Sequence, residues 1–591
     1  MARRTKDGTR RNPKKQKGLP GFMSHTNGHA LRSYRVGALP ILHSILHRLR
    51  LSEVLKKHLP HDVRTEVPHA RTLMVLVTNI LVSREPVYGV GEWARQYAPD
   101  LLNLWVEDVE QLNDDRVGRA LGHLFRHGSS QLLLDVVRQA IDEFGLDLSE
   151  LHNDSTSISF YGAYEDAANE QCRDGNHTTS AITWGFSKDH RPDLKQLLFI
   201  LTVTDDGGVP VFFNSASGNV VDDQTHRQTW DTMKELVGSS DFLYVADCKL
   251  ATSQNMRHLH DRGGKFVTVL PATRKEDDQF RRQLRESPGE VKWQALYEVT
   301  NDDDEVIDQL SMADGEYASA EGFRILWYKS TKKAKLDRQT RYRKSQRAML
   351  QLSSLKDRLS GPKTRFREQK QVEEAVAKIK DELGVGAWLE VQILEYEEEK
   401  YRQAGRGRPT AKTTYRKELK QRYTITWSVD AKLELEEQRD DGIFPLITNS
   451  LSLTGEEVLR AYKRQPIIEK RFSQLKTDFC VAPIYLKNVE RIEGLLTVYF
   501  FVLMVQTLLE RELRRAMEAE EIESLPFYPE QRECRRPTTR RLLDIFEPIQ
   551  RHTYVRNLDR DEEPIVLVTE LTELQEQVLK LLKIDASTYG H

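Results

Sequence analysis

Leu197-Leu-Phe-Ile-Leu-Thr-Val-Thr204, followed by Asp205-Asp-Gly-Gly208 and Val209-Pro-Val-Phe-Phe213, is the stretch that decides the fold. Its first part is a continuous apolar run bounded by turn residues, the pattern of a strand covered on both faces. Asp-Asp-Gly-Gly is a hairpin turn, and the next five residues return from it. Working outward, Leu148 to Phe160 holds an alternating, β-branched stretch. On the other side come a helical pattern around Thr225 to Val237 and a short apolar strand, Phe242 to Ala246, that ends at Asp247. A helix from about Thr252 to Arg262 and a strand from Phe266 to Leu270 follow. Three strands, then helix, strand, helix, strand, predict an α/β unit with a mixed sheet.

The order breaks after Pro271. Strand-like runs at Trp293 to Val299 and Phe323 to Trp327 precede a charged helical hairpin. Its arms run from about Lys332 to Leu359 and from Phe366 to Leu383, joined at Ser360-Gly-Pro362. Gly405-Arg-Gly-Arg-Pro409 is a polar loop, and Tyr423 to Val429 is a strand. The α/β pattern resumes at Ile443, so the region between reads as an insertion. Lys332, Lys333, Arg341, Arg343 and Lys344 on the hairpin fit a DNA clamp or a subunit contact, and equally a solvated helix face.

A helix follows at Tyr462-Lys-Arg-Gln-Pro-Ile-Ile-Glu469-Lys-Arg-Phe-Ser-Gln-Leu-Lys476. At about 100° per residue, Tyr462, Gln465, Glu469 and Lys476 share one face. Ile468, Phe472 and Leu475 form the apolar stripe beside it. Thr454-Gly-Glu-Glu457 is a capping box, and Pro466 restarts or kinks the helix.

At 591 residues the chain exceeds one hydrophobic core. Lys and Arg number 88 against 90 Asp and Glu, so net charge excludes little, but the charge is uneven. Arg3 to Lys17 carries eight cations against Asp7, the composition of a disordered tail suited to a polyphosphate or to solvent alone. Cys172, Cys248, Cys480 and Cys534 form no Cys-x-x-Cys pair, which argues against a zinc site and a disulfide scaffold. No secretory leader pattern is present, and Leu495 to Leu509 reads as a buried helix, so a cytoplasmic, membrane-free protein is expected.

Three acids stand at telling places. Asp154 lies on the first strand, Asp247 ends the fourth, and Glu469 sits on the late helix. Ligands gather at strand ends in α/β sheets, so Asp154 and Asp247 are expected to be neighbours. Clustered carboxylates repel unless a cation is present, and Mg²⁺ takes such oxygen ligands. Each acid also has an ordinary reading: a turn or cap for Asp154, an N-cap for Asp247, a solvated charge for Glu469.

With these residues in place, the chain resembles the DDE transposases of bacterial insertion sequences. The carriers are the acid order, the long insertion before the last acid, the Tyr462 to Lys476 helix, Asn113-Asp-Asp-Arg116, Gly185-Phe-Ser-Lys188-Asp-His-Arg191-Pro-Asp-Leu-Lys195-Gln196, and Asp440-Asp-Gly442 with Thr448-Asn449. The resemblance spans roughly 110 to 500. It implies an α/β RNase H-like catalytic core with a large mixed insertion, flanked by helical N- and C-terminal regions. Together with the pattern of elements, this divides the chain into a basic tail (1–30), a helical domain expected to bind DNA ends (31–147), the core (148–271 and 442–490), the insertion (272–441) and a C-terminal helical region (491–591).

It further implies that Asp154, Asp247 and Glu469 are catalytic and bind Mg²⁺ or Mn²⁺. Tyr462 and Lys476 would contact terminal phosphates. Gln465 stands where the family has arginine, with Arg464 beside it as a candidate substitute. Lys188, Arg191 and Lys195 are further candidates for DNA contact or for a solvated loop. Trp327 and Trp427 are candidates for stacking an unpaired base, or core residues. The expected partners are double-stranded DNA, both element ends and target, and a second copy of the chain. The expected activity is cleavage at terminal inverted repeats and joining of 3′-hydroxyls to target, in the cytoplasm at the nucleoid. A non-catalytic DNA-binding derivative and a nuclease without strand transfer are the rival readings.

Overall fold

The run from Leu197 becomes a strand buried at every position, β2 in the sheet that organises the chain. The structure is a computed structural model. It describes residues 22–590, apart from 27–28, 61–64, 129, 168, 174–176, 288, 302–303, 316–317, 479–485 and 556–563. The basic run Arg3 to Lys17 and Cys480 therefore lie outside the described residues. The chain divides into two units: residues 1–266 with 461–591, and residues 267–460.

In the first unit, β1 (Glu150–Phe160), β2 (Lys195–Thr204), β3 (Pro210–Ser217) and β4 (Leu243–Ala246) lie in the order β4-β1-β2-β3. β1 runs antiparallel to β2 and parallel to β4, so the sheet is mixed as the element order predicts. The β2–β3 turn places Gly207 at φ 84° and Gly208 at φ 65°, both in the left-handed region that glycine enters without steric cost. A Cβ on Gly208 would also stand 2.7 Å from Ile467, so the turn is pressed against the late helix.

Helices Leu39–Arg48, His69–Val82, Asp114–His127 and Ser130–Phe144 form the expected helical region. Asn113 caps the third of them by accepting from Arg116 N, as its sequence signals. They gather around Val489–Ala519, a 31-residue helix whose apolar window is 94% buried within the protein. Gly494 lets it approach Asp114–His127; a Cβ there would stand 2.3 Å from the Leu121 carbonyl oxygen.

The C-terminal region is not helical throughout. Gln550–Val555 and Ile565–Val568 are strands, and the former pairs antiparallel with His29–Arg35, which pairs with Phe22–Thr26. Gln550-Arg-His-Thr-Tyr-Val555 lacks apolar alternation, and its partner lies about five hundred residues away, so no local pattern announced the pairing.

Further strands lie along residues 265–448. β5 (Lys265–Val269), β6 (Gln294–Thr300), β7 (Val306–Asp314) and β8 (Arg324–Ser330) precede β9 (Leu389–Gln403), β10 (Tyr415–Val429) and β11 (Ile443–Thr448). The sheet order is β6-β7-β8-β11-β5, so strands assigned to the insertion continue the sheet that Ile443 to Thr448 belongs to. The compact unit runs from 267 to 460. The helical hairpin is present as Thr331–Ser360 and Gln369–Leu383. It packs with the base of the β9–β10 ribbon in a second core that includes Leu352, Val372, Trp388 and Ile425. Trp327 is buried and stacks on Phe280 at 3.8 Å, which settles it as a core residue. Trp427 is half-buried against the second core, with Lys356 over its ring.

Candidate active site

The site is built by strand register. β1 and β4 pair in parallel with Asn153 opposite Ala246. Asp154 follows Asn153 on β1, Asp247 follows Ala246 just past the end of β4, and the Asp247 charge acts on Asp154. Glu150, His152 and Asp154 alternate on β1 and so share one face. Burial pushes the Asp154 carboxyl up to about 6; Asp247 pushes the same way, and Lys188 pulls against both. The Lys188 ammonium donates to Asp154 Oδ1 at 3.1 Å and to the Ser155 carbonyl at 2.7 Å. Asp247 also acts as the cap read from the sequence, since its Oδ1 accepts from Lys249 N at 3.0 Å.

The late helix breaks where Pro466 predicts. Gly455–Lys463 ends, and Pro466–Ser473 restarts with the proline in its first turn. The capping box is intact, with Thr454 N donating to Glu457 at 2.7 Å and Glu457 N donating to Thr454 Oγ1 at 3.2 Å. Ile468, Phe472 and Leu475 are buried as their stripe requires. Burial raises the Tyr462 hydroxyl pKa, and Cys248, Asp247 and Glu469 raise it further. Glu469 itself is exposed.

Gln465, the departure from the expected arginine, has a definite place. It is buried, its Nε2 donates to the Asn153 carbonyl at 3.4 Å, and its Oε1 lies 3.1 Å from His152 Nδ1. The carbonyl can only accept, which fixes the amide orientation and makes His152 Nδ1 the donor. His152 Nε2 meets Glu150 Oε1 at 2.9 Å. A buried Glu150–His152–Gln465 chain thus ties the late helix to β1 one residue from Asp154. The period-two spacing Glu150, His152, Asp154 is the signal in the sequence that could have found His152.

The basic candidates are engaged within the protein. Arg464 pairs with Glu150 at 2.6 Å and Asp205 at 3.3 Å. Lys476 pairs with Asp189 at 2.6 Å. Arg191 pairs with Asp193 at 2.7 Å and donates to the Tyr161 hydroxyl at 3.1 Å. Lys195 is buried and donates to the Ala163 carbonyl, so its ammonium is not offered outward. Lys188 and Lys476 together pin the loop from Gly185 to Leu194 between β1 and the late helix. Trp184, just before that loop, and Phe186 within it are exposed.

Two adjoining carboxylates, one raised by burial and by its neighbour's charge, are a donor set that fits a divalent cation, which would relieve that repulsion. Among the described residues, no group of three His, Cys, Asp or Glu is arranged to hold a metal ion, so Glu469 does not join the pair as a third ligand in this arrangement.

The burial of Asp154 carries a pH prediction. The folded protein keeps its proton up to about pH 6, while the unfolded chain releases it near 3.8. Between those values the native state binds more protons, so this group makes stability fall as pH rises. Asp154→Asn should therefore be more stable than the parent at pH 7.5 without divalent metal, and lose that advantage at pH 4. Thermal unfolding at the two pH values checks this; a constant offset would refute it.

A domain family described as "Domain of unknown function (DUF4277)" matches residues 31–138, the helical region ahead of the sheet. No curated protein matches the chain. Among solved structures, the chain is similar to a piggyBac transposase in a synaptic complex with hairpin DNA, at 10% identity and a TM-score of 0.23. That match covers 50% of this chain and 59% of the other, too slight a likeness to fix a fold.

Proposed function

We propose that the chain is a DNA transposase whose cutting site is built on Asp154 and Asp247 in an RNase H-like core. The observation that carries this reading is the parallel register that sets the two carboxylates side by side, with Lys188 on one of them. Asp154 and Asp247 are also the first two acids of the pattern that resembles DDE transposases. Asp154 and Asp247 would hold Mg²⁺ or Mn²⁺, which supplies activation of a water or 3′-hydroxyl and stabilisation of the leaving oxygen.

The chain's own residues supply the rest. Lys188 holds Asp154 in one orientation by bonding to its carboxylate and to the Ser155 carbonyl. The Gln465 contacts hold the start of the late helix against β1. Tyr462 lies within the field of both Asp247 and Glu469 and offers a hydroxyl donor to a phosphate oxygen. Lys476, Arg464 and Arg191 reach DNA only by exchanging their present carboxylate partners for phosphates. Holding two element ends together calls for two copies of the chain.

The test is a plasmid carrying the coding region with its flanking DNA, incubated with the protein, Mg²⁺ and a labelled target duplex. Cleavage at the flanks with joining to target is the expected result. Cleavage without joining would replace this reading with a simple nuclease. Binding without cleavage would replace it with a DNA-binding derivative.

A further inference from the structure

The β9–β10 ribbon pairs fifteen residues on each strand, from Leu389 with Val429 to Gln403 with Tyr415. At about 3.3 Å per residue it is roughly 45 Å long. Its base is held by the second core, through Leu389, Tyr423 and Ile425. Its outer half has no such support and leaves Tyr401, Tyr415 and Leu419 exposed. A two-stranded ribbon is marginal in water by itself, so an arm of this length points to a partner.

The tip states the partner's chemistry. Residues 404–417 read Ala-Gly-Arg-Gly-Arg-Pro-Thr-Ala-Lys-Thr-Thr-Tyr-Arg-Lys, with five cations and no acid. Ala404 to Lys412 are all exposed. Of these five cations, Lys417 pairs with Glu399, and further down the ribbon Arg422 pairs with Glu398. Arg406, Arg408, Lys412 and Arg416 have no ion-pair partner among the described residues. The tip is nevertheless shaped. Ala404 N donates to the Thr414 carbonyl at 2.9 Å, Gln403 Nε2 to the Gly407 carbonyl at 3.0 Å, and Thr410 N to Thr413 Oγ1 at 2.7 Å.

We propose that Gly405–Pro409 is a minor-groove clamp that inserts Arg406 and Arg408 into A·T-rich duplex DNA. The minor groove is about 6 Å wide, too narrow for a backbone bearing bulky Cβ substituents at every position. Gly405 and Gly407 have open space around them, and Gly407 holds φ 136°, which L side chains rarely adopt. The backbone can then lie flat in the groove while the flanking arginines run along its floor. A narrow A·T groove has the enhanced negative potential that attracts arginine, and guanine's 2-amino group would obstruct the same approach. Pro409 has no N–H and fixes the exit of the chain. The clamp shares with the transposase reading only its duplex partner.

The test compares short A·T, G·C and inosine·cytosine duplexes with the full chain by fluorescence anisotropy. Inosine·cytosine keeps the G·C major-groove pattern but presents an A·T-like minor groove. A·T and inosine·cytosine should bind about tenfold more tightly than G·C. Arg406→Ala with Arg408→Ala should erase that preference and reduce the salt slope by about two. Arg406→Lys with Arg408→Lys should keep the salt slope and lose most of the preference. Inosine·cytosine behaving like G·C, equal binding of all three duplexes, or tighter binding of single-stranded RNA would overturn the clamp. A parent protein that kept the A·T preference yet never cut would sink the transposase reading and leave the clamp standing.

Discussion

Asp247→Asn is expected to reduce divalent-metal-dependent DNA cleavage by roughly 10²–10³-fold while leaving duplex affinity close to the parent's. Asparagine is chosen because Asp247 does two things. It caps the turn Cys248–Leu250 through Lys249 N, and asparagine caps as well as aspartate. It also faces Asp154 across the β1–β4 register, and there only the charge matters. Losing that charge removes one of the influences raising the Asp154 pKa and leaves Asp154 with Lys188 as its cationic neighbour. The site then holds one carboxylate already matched by an ammonium, a poor ligand set for Mg²⁺. Single-turnover cleavage at saturating DNA separates the lost chemistry from binding. Parent-like cutting by this variant would remove Asp247 from the site.

Arg471→Met should lower stability by about 3 kcal/mol and abolish cleavage with it. Arg471 sits on Pro466–Ser473 and is almost wholly buried. Its Nε donates to the Gly208 carbonyl at 3.0 Å and its Nη2 to the Gly207 carbonyl at 2.6 Å. Its Nη1 bonds to Gln474 at 2.7 Å and to the buried Glu510 at 3.3 Å. Methionine fills much of the volume but orphans two turn carbonyls and weakens the compensation of a buried carboxylate. Lys470 at 3.8 Å and Arg514 at 3.4 Å are the cations left on Glu510. Adding Glu510→Gln should recover part of the lost stability, because removing both partners costs less than removing one. Thermal unfolding of the intact chain reads both variants. An unchanged transition in the single variant would mean that this network does not hold the late helix to the sheet.

The placing of Asp154 within one strand and of Asp247 just after another was legible because both strands have strong local patterns, Leu148 to Phe160 and Phe242 to Ala246. The parallel register then follows from an α/β order. The late helix was legible for the same reason, through its stripe, its proline and its capping box. The fate of the cations was not. Arg464 meets Glu150 and Lys476 meets Asp189 across 314 and 287 residues, and no local periodicity encodes such a pairing. Lys195 looked like part of a basic loop, yet it begins β2, where the strand's burial takes its ammonium inside. Trp327 looked available for stacking, but the β7-β8-β11 pairing that buries it forms only when the insertion's strands join that sheet.

The central claim is that Asp154 and Asp247 together form a divalent-cation site. Electron paramagnetic resonance of Mn²⁺, titrated into the protein at neutral pH, measures this directly through loss of the free-ion signal. The parent should take up Mn²⁺ in a way that Mg²⁺ competes away, and Asp154→Asn and Asp247→Asn should each lose that uptake. Undiminished Mg²⁺-sensitive binding in both variants would contradict the account.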